Sequence, residues 1–399
     1  MSLSAIVLEE SPVRLWGLSS RQRLRRQLRE AGGVQWLDSL DRLSESGRVL
    51  LLNGNYLFEV RTLAGLLERE QSVLRCAADG RVAAAVCHAG DAPGLAEVVA
   101  GRSDRIPEGV GDLVPGDFAA FDDTLRRSQA PLLEPVREDN RLSLENRLYG
   151  NAYRGITDLV TKFFWPKPAK RAVRMAARLG LTPNQVTASG FVLVLAACYL
   201  FLAGQYAAGL AAGWLMTFLD TVDGKLARVT VQSSRFGHLF DHGIDLLHPP
   251  FWYICWGASL QAFEPVLGLD RVDLYGIIVG GYVLGRAVEG VFPLLGECGV
   301  FTWRPFDAWF RLVTARRNPC MILLTISVLV GRPDWGFVAV AFWTAATSAV
   351  LVIRLIQGGV ARLRHGRLQS WLSDPSVATG PNAGSYRVFG RTRSAYGEG

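Results

Sequence analysis

Four carboxylates, Asp220, Asp223, Asp241 and Asp245, stand at the ends of two apolar segments long enough to cross a bilayer. The chain there reads Asp220-Thr-Val-Asp223-Gly224-Lys-Leu-Ala227-Arg228, eight residues, Gly237, three residues, Asp241, three residues, Asp245. Charge at membrane depth is costly and is usually retained for function, with a partner. An all-oxygen cluster suits hard divalent cations such as Mg²⁺. Asp220, Asp223, Gly224 and Ala227 recur at i, i+3, i+4 and i+7, one face of a helix. Gly237, Asp241 and Asp245 recur at i, i+4 and i+8, one face of another. The short connection from 229 to 236 turns the chain back and makes the two acidic faces neighbours. Small Gly224, Ala227 and Gly237 let a helix or ligand approach closely. Facing carboxylates repel, and bound cations relieve that repulsion.

The pattern Asp-x2-Asp-Gly-x2-Ala-Arg-x8-Gly-x3-Asp-x3-Asp resembles the signature of the CDP-alcohol phosphotransferase (CDP-alcohol phosphatidyltransferase) family, with every fixed position matched between Asp220 and Asp245. The resemblance implies attack of an acceptor hydroxyl on the β-phosphorus of a CDP-alcohol donor, with release of CMP. It implies two Mg²⁺ or Mn²⁺ ions held by Asp220, Asp223 and Asp241. Asp245 would be the general base and would also touch a metal. Gly224, Arg228 and Ser234 would contact the CDP portion. Thr182-Pro183-Asn184 before the first apolar segment also resembles the family, which adds Pro183 and Asn184 to the CDP side. Arg316 and Arg317 are candidates for an acceptor phosphate by the same resemblance; a role as membrane anchors stands equally. The chemistry agrees with these roles. Phosphoryl transfer depends on positioning and on neutralising diphosphate charge. A carboxylate helps a poorly nucleophilic alcohol, and arginine grips phosphate in a fork. The bland alternative is a polar helix-helix seam.

The elements that must position these groups follow from hydropathy. Residues 187–357 read as an all-α membrane domain of about six transmembrane helices, near 187–204, 206–227, 237–261, 273–297, 318–331 and 335–356. Arginines crowd the 227–237 turn, the 297–318 connection and the segment after 357, while the opposite loops carry only Arg271 and Arg332. The positive-inside rule then puts the N-terminal domain, the acidic site and the C-terminal tail in the cytoplasm, at the inner membrane if the source is bacterial. No signal peptide is expected. The net charge of +7 fits anionic lipid headgroups, and no motif supports nucleic-acid binding. Homodimerisation through the spans is implied by the resemblance alone.

Residues 146–186 read as a basic, aromatic, amphipathic interfacial segment broken by Pro166 and Pro168. Residues 1–145 alternate strands (5–8, 48–52, 81–87) with a basic helix (19–31), an α/β pattern. This order loosely resembles the sugar-nucleotidyltransferase domain of bifunctional inositol-phosphate cytidylyltransferase/di-inositol-phosphate-phosphate synthases. The loop Glu9–Gly17 departs from it, being acidic at its start and poor in glycine where such enzymes cradle phosphates. Asn53 and Asn55 stand where a metal-binding Asp is usual. A degenerate domain without cytidylyltransferase activity is expected. Residues 358–399 read as a mostly disordered cytoplasmic tail. Arg286 and Glu289 are spaced to pair across one helical turn. His238, His242 and His248 read as packing residues. Six cysteines without CxxC or zinc spacing read as reduced thiols. Three readings of function remain: a CDP-alcohol phosphotransferase of phospholipid synthesis, a bifunctional enzyme that also forms its CDP-inositol donor, and a catalytically silent membrane scaffold.

Overall fold

A computed structural model describes residues 3–44, 47–232, 235–261 and 263–391; the side chains of residues 235–242 and of Pro375 lie outside that description. The N-terminal part begins with β1 (Leu3–Glu10), α1 (Ser20–Ala31), β2 (Gln35–Trp36) and β3 (Arg48–Gly54). It continues with β4 (Tyr56–Leu57), α2 (Val60–Leu67), β5 (Ser72–Arg75), β6 (Val82–His88), α3 (Ala92–Val99) and β7 (Gly111–Leu113). Six strands form one sheet in the order β2-β1-β3-β6-β5-β7. β1 runs parallel to β2 and β3, whereas β6 is antiparallel to β3 and β5.

Strand periodicity divides the core into two layers. Ala5, Val7, Leu50 and Leu52 pack with Leu24, Leu28, Leu63 and Leu66 of α1 and α2. Ile6, Val49 and Leu51 face the other way, toward Leu95, Val98 and Val99 of α3. Both faces are covered, which is why the central strands read as continuous apolar runs. Ser19 caps α1: Gln22 N–H donates to Ser19 Oγ at 3.3 Å, and Ser19 N–H donates to Gln22 Oε1 at 3.1 Å.

The chain then makes the hairpin β8 (Phe121–Asp122) and β9 (Arg127–Ser128), and β10 (Glu134–Pro135), which pairs with β4. Next come α4 (Arg141–Asn151), a short π-helical turn at 160–164, and α5 (Pro166–Arg178), at the predicted interfacial segment. The break near Pro166 is present, because proline starts α5 at its first turn.

The remaining helices are α6 (Pro183–Leu202), α7 (Tyr206–Val229), α8 (Arg235–Ala258), α9 (Arg271–Val291), α10 (Pro305–Val313), α11 (Arg317–Leu329), α12 (Pro333–His365) and α13 (Ala383–Phe389). Six of them, α6 to α9, α11 and α12, lie where the six apolar segments were expected. By length and composition, only three described helices can cross a membrane: α6, Arg271–Leu295 and α12. The pair α10 and α11, bent by 41°, makes a fourth if it is one span. Six spans were expected, and by this measure three or four are found among the described residues. α7 is 24 residues long but ends in Asp220, Asp223, Lys225 and Arg228. Its inner surface is apolar: Leu210 and Met216 join Phe201, Trp252, Trp256, Met321 and Phe337 in one core. Leu195, Tyr199, Leu329 and Ile356 face outward and are exposed, as lipid-facing positions would be.

A buried forked ion pair fastens α10 to α12, with Arg354 Nε 2.6 Å from Asp307 Oδ1 and Nη2 2.8 Å from Oδ2. α12 runs past its expected end, to His365, and Gly358 lets Phe292 pack closely on it; a Cβ there would meet that ring at 2.8 Å. The expected disordered tail is also corrected for residues 366–391. Phe389 is buried beside Ile156, and Ser128 N–H donates to Gly390 O at 2.9 Å. An apolar anchor and backbone hydrogen bonds hold this segment despite its Ser, Gly and Arg content. Residues 392–399 lie outside the described residues.

Candidate active site

The site is built where α6 begins and α7 ends. Thr182 caps α6, accepting from Gln185 N–H at 3.3 Å, and Pro183 opens its first turn. One turn further, Thr187 Oγ1 donates to Asp223 Oδ2 at 2.6 Å. Pro183 and Asn184 therefore sit one helical turn from a residue bonded to the motif. Thr187 itself was not singled out from sequence. It lies 36 positions from Asp223, and only its place one turn after the Thr-Pro-Asn stretch could have flagged it.

The two halves of the motif meet over a single arginine. Arg317, in the first turn of α11, places Nη2 2.5 Å from Asp220 Oδ2 and Nη1 2.6 Å from Asp245 Oδ1. Asp220 comes from α7 and Asp245 from α8, so the expected convergence of two helices is present at these residues. The Asp220 side chain is 20 % exposed and that of Asp245 39 %. Asp245 is thus the carboxylate more open to an incoming group. Tyr282 of α9 steadies this stretch of α8, its hydroxyl donating to Leu246 O at 3.0 Å. Asp241 and Gly237 lie on α8, with side chains outside the described residues; Ser234 lies outside them altogether. The same limit covers His238 and His242. His248 packs edge-on against Trp252, as a packing residue should, and its Nδ1 lies 2.7 Å from Ile244 O.

Arg316 and Arg317 diverge. Arg316, the residue before α11, pairs with Glu289, which also lies 3.7 Å from Arg286. The Arg286–Glu289 pair expected from spacing is present, and Arg316 makes it a three-membered cluster beside the Asp220–Asp245 bridge. Asn318 ties the same end of α11 to the interfacial segment through Asp158 Oδ1 at 2.9 Å and Thr161 Oγ1 at 3.2 Å.

On the donor side, among the described residues a Cβ added at Gly224 would meet nothing closer than Arg228 Nη1 at 3.7 Å. Packing among the described residues does not demand glycine here. Arg228 Nη1 donates to Ala152 O at 3.1 Å and to Gly224 O at 3.3 Å, which holds its guanidinium beside Gly224. Lys225 is buried over the Tyr153 ring, 4.0 Å from its centroid, and adds a cation that sequence reading left unused.

Asp220 and Asp245 already converge on one cationic group, and with Asp223 they offer only oxygen donors. That chemistry fits Mg²⁺ or Mn²⁺. Among the described residues no three Asp, Glu, His or Cys side chains close on a single point; the fourth carboxylate, Asp241, has its side chain outside them.

Residues 180–279 match the family described as CDP-alcohol phosphatidyltransferase. Over 122 residues the chain is 46 % identical to an archaetidylinositol phosphate synthase of Pyrococcus horikoshii, covering 30 % of this chain and 59 % of the relative. It is 29 % identical over 199 residues to a phosphatidylinositol phosphate synthase of Mycolicibacterium smegmatis, covering 49 % of this chain and 84 % of the relative. It is 34 % identical over 147 residues to choline/ethanolaminephosphotransferase 1 of Arabidopsis thaliana, covering 33 % and 38 %. The acidic motif, its capped neighbour α6 and the helix that follows all fall inside residues 180–279, the part of the chain that is similar to the CDP-alcohol phosphatidyltransferase family.

Proposed function

We propose that this protein is an integral membrane CDP-alcohol phosphotransferase of phospholipid biosynthesis. The acceptor oxygen bonds to the β-phosphorus of a CDP-alcohol, the bond from that phosphorus to the bridging oxygen breaks, and CMP leaves. Asp245, the more exposed carboxylate of the bridged pair, takes the acceptor proton. Two Mg²⁺ or Mn²⁺ ions, held by Asp220, Asp223 and Asp241 with Asp245 at the edge, would neutralise the diphosphate. Thr187 orients Asp223, as hydrogen-bonded neighbours orient carboxylate ligands. The open space at Gly224, flanked by Arg228 and by Pro183 and Asn184 of α6, receives the CDP portion, with Ser234 nearby in sequence. The observation that carries this reading is the meeting of Asp220 and Asp245, from separate helices, over one cation.

The acceptor is a phosphorylated polyol in this proposal. Arg316 and Arg286 share one carboxylate, Glu289, and so keep excess positive charge beside the site. Two relatives are named as inositol phosphate synthases. The active site and the N-terminal domain face the cytoplasm, following the arginine distribution, and the lipid-facing helices leave room for a homodimer.

The N-terminal domain makes no CDP-alcohol in this reading. Asn53 is buried, donating to Val99 O at 2.8 Å and accepting from Asn55 N–H at 2.9 Å, so its amide serves the fold. Trp16 N–H, in the loop where phosphate would be cradled, is taken by Glu145 Oε1 at 3.0 Å.

The test is CMP release by the full chain in liposomes containing CDP-diacylglycerol, with Mg²⁺ or Mn²⁺ and a panel of inositol 1-phosphate, glycerol 3-phosphate, inositol and choline. Release that requires the divalent ion and favours a phosphorylated polyol is expected. No release with any pairing overturns the reading. Pyrophosphate release from CTP and inositol phosphate would overturn the assignment of the N-terminal domain.

A further inference from the structure

The C-terminal end of α7 is completed by a different domain. A helix leaves its last four carbonyls without partners inside the helix. Here Leu226 O accepts from Thr230 N–H at 3.0 Å and from Thr230 Oγ1 at 2.7 Å. Ala227 O accepts from Gln232 N–H at 2.8 Å, and Arg228 O from Val231 N–H at 3.3 Å. The next two carbonyls are taken by α1, some two hundred residues earlier. Arg23 Nη2 donates to Val229 O at 2.9 Å and Arg26 Nη1 donates to Thr230 O at 2.7 Å. Two guanidinium groups at the negative end of a helix also complement its dipole.

A second contact grips the same turn from the side. Leu15 and Leu18 exchange both backbone hydrogen bonds at 3.1 Å, closing a two-residue turn with φ of 51° at Trp16 and 78° at Gly17. Positive φ at both central residues is the mark of a type I′ turn. A bulky tryptophan adopts it at a cost, so the surroundings must hold it there. They do: Trp16 is buried, its Nε1 donates to Glu145 O at 3.0 Å, and it packs with Val222, Leu226 and Val229 of α7. Arg23 joins the two contacts, because the same Nη2 also donates to Leu15 O at 3.0 Å. Beyond the grip, Val231 carries φ of 47°, a second rare conformation for a β-branched residue. Glu30, also on α1, lies within electrostatic reach of Arg228.

The gripped segment is the link between the two halves of the acidic motif. Asp220 and Asp223 lie one to three turns before it, and Asp241 and Asp245 follow it on α8. We propose that Arg23, Arg26 and Trp16 make the N-terminal domain a positioning element for the metal site. By fixing where α7 ends and how the chain leaves it, they set the register of Asp220 and Asp223 against Asp241 and Asp245. The loop that cradles phosphate in a nucleotidyltransferase has here become a clamp on a neighbouring helix. This inference rests on the phosphotransferase reading for its functional consequence, and on geometry alone for the clamp.

The experiment is Mn²⁺ binding to the full chain in detergent, followed by electron paramagnetic resonance without substrate, alongside CMP release. In Arg23→Met/Arg26→Met the Mn²⁺ dissociation constant is expected to rise about tenfold, because the charged donors that fix the end of α7 are lost. kcat falls with it, while KM for the acceptor is unchanged, because Arg286 and Arg316 sit on other helices. Arg23→Lys/Arg26→Lys, which keeps a charged donor at each place, restores most of the Mn²⁺ affinity. Arg26 is only part-buried, so Arg26→Met alone keeps the question answerable if the double variant fails to fold; about a threefold loss is expected. Unchanged Mn²⁺ affinity in the folded variants overturns the proposal. So does a parallel loss of Mn²⁺ affinity, acceptor KM and melting temperature, which would mean general loosening. A wild-type protein that binds Mn²⁺ but releases no CMP defeats the phosphotransferase reading and leaves the clamp to be judged on binding.

Discussion

Asn53 and Asp220 stand at comparable places, each near the end of the element that carries it toward a loop, and they are used in opposite ways. Asn53 closes β3 with both ends of its amide bonded to backbone of its own domain. Asp220 closes the apolar part of α7 and meets Asp245 and Arg317, which come from two other helices. The first arrangement is neutral and consumed by the fold. The second gathers charge from three elements at one point. Buried polar groups bonded locally stabilise a structure, whereas charges assembled from several elements beside a cavity mark chemistry. The N-terminal sheet and the motif helices thus use their polar residues in different ways.

The largest break of this contrast would come from the charge itself. Asp245→Asn removes the proposed base and should lower CMP release by about 10² to 10⁴-fold, with the melting temperature little changed. Asn53→Ala should do the reverse. It strands Val99 O and Asn55 N–H, costs about 1–3 kcal/mol, and leaves kcat alone. Thermal melts and turnover on the same two variants decide the matter. Equal loss of turnover in both would mean that the sheet shares in the chemistry.

The acceptor side gives the next effect. Arg316→Met should raise KM for inositol 1-phosphate by about tenfold or more, the worth of a charge-assisted contact, and change KM for the donor little. Thr187→Val follows, since it keeps shape and removes only the hydrogen bond to Asp223. Second partners of metal ligands are worth roughly tenfold or more, so half-saturation by Mn²⁺ should rise by about that factor. Normal Mn²⁺ dependence in this variant would remove Thr187 from the site.

Much of this was legible in the sequence because it is local. The spacing from Asp220 to Asp245 places carboxylates on two adjacent helices without reference to anything else. Apolar runs located all six long helices, and the strands at 5–8, 48–52 and 81–87 are found in β1, β3 and β6. Short β2, β5 and β7 were missed, because strands of two to four residues show too little alternation to register. The contact of Arg23 with Val229 spans 206 residues and has no periodicity to betray it. Of the six expected spans, three or four meet the length and composition of a span among the described residues; α7 does not, because charges end it. The tail from 366 was read from composition, yet Leu368, Trp371, Leu372, Val377 and Phe389 supply buried anchors that composition averages away.

Two glycines carry the comparison down to its smallest measurable effect. A Cβ at Gly54 would meet Glu9 O at 2.3 Å, so backbone itself blocks it. Gly54→Ala should destabilise the sheet, lowering the melting temperature with no change in donor KM. Among the described residues, a Cβ at Gly224 meets only Arg228 Nη1 at 3.7 Å. Within α7, alanine in place of glycine favours the helix by about 0.5–1 kcal/mol, so Gly224→Ala should raise the melting temperature slightly. If CDP occupies the space beside this residue, the same methyl group must raise donor KM, by a few-fold for a contact that one methyl disturbs, about 1 kcal/mol. A variant that is more stable and binds its donor less well separates a glycine kept for a ligand from one kept for a fold. Unchanged donor KM in Gly224→Ala would move the CDP site away from this face of α7.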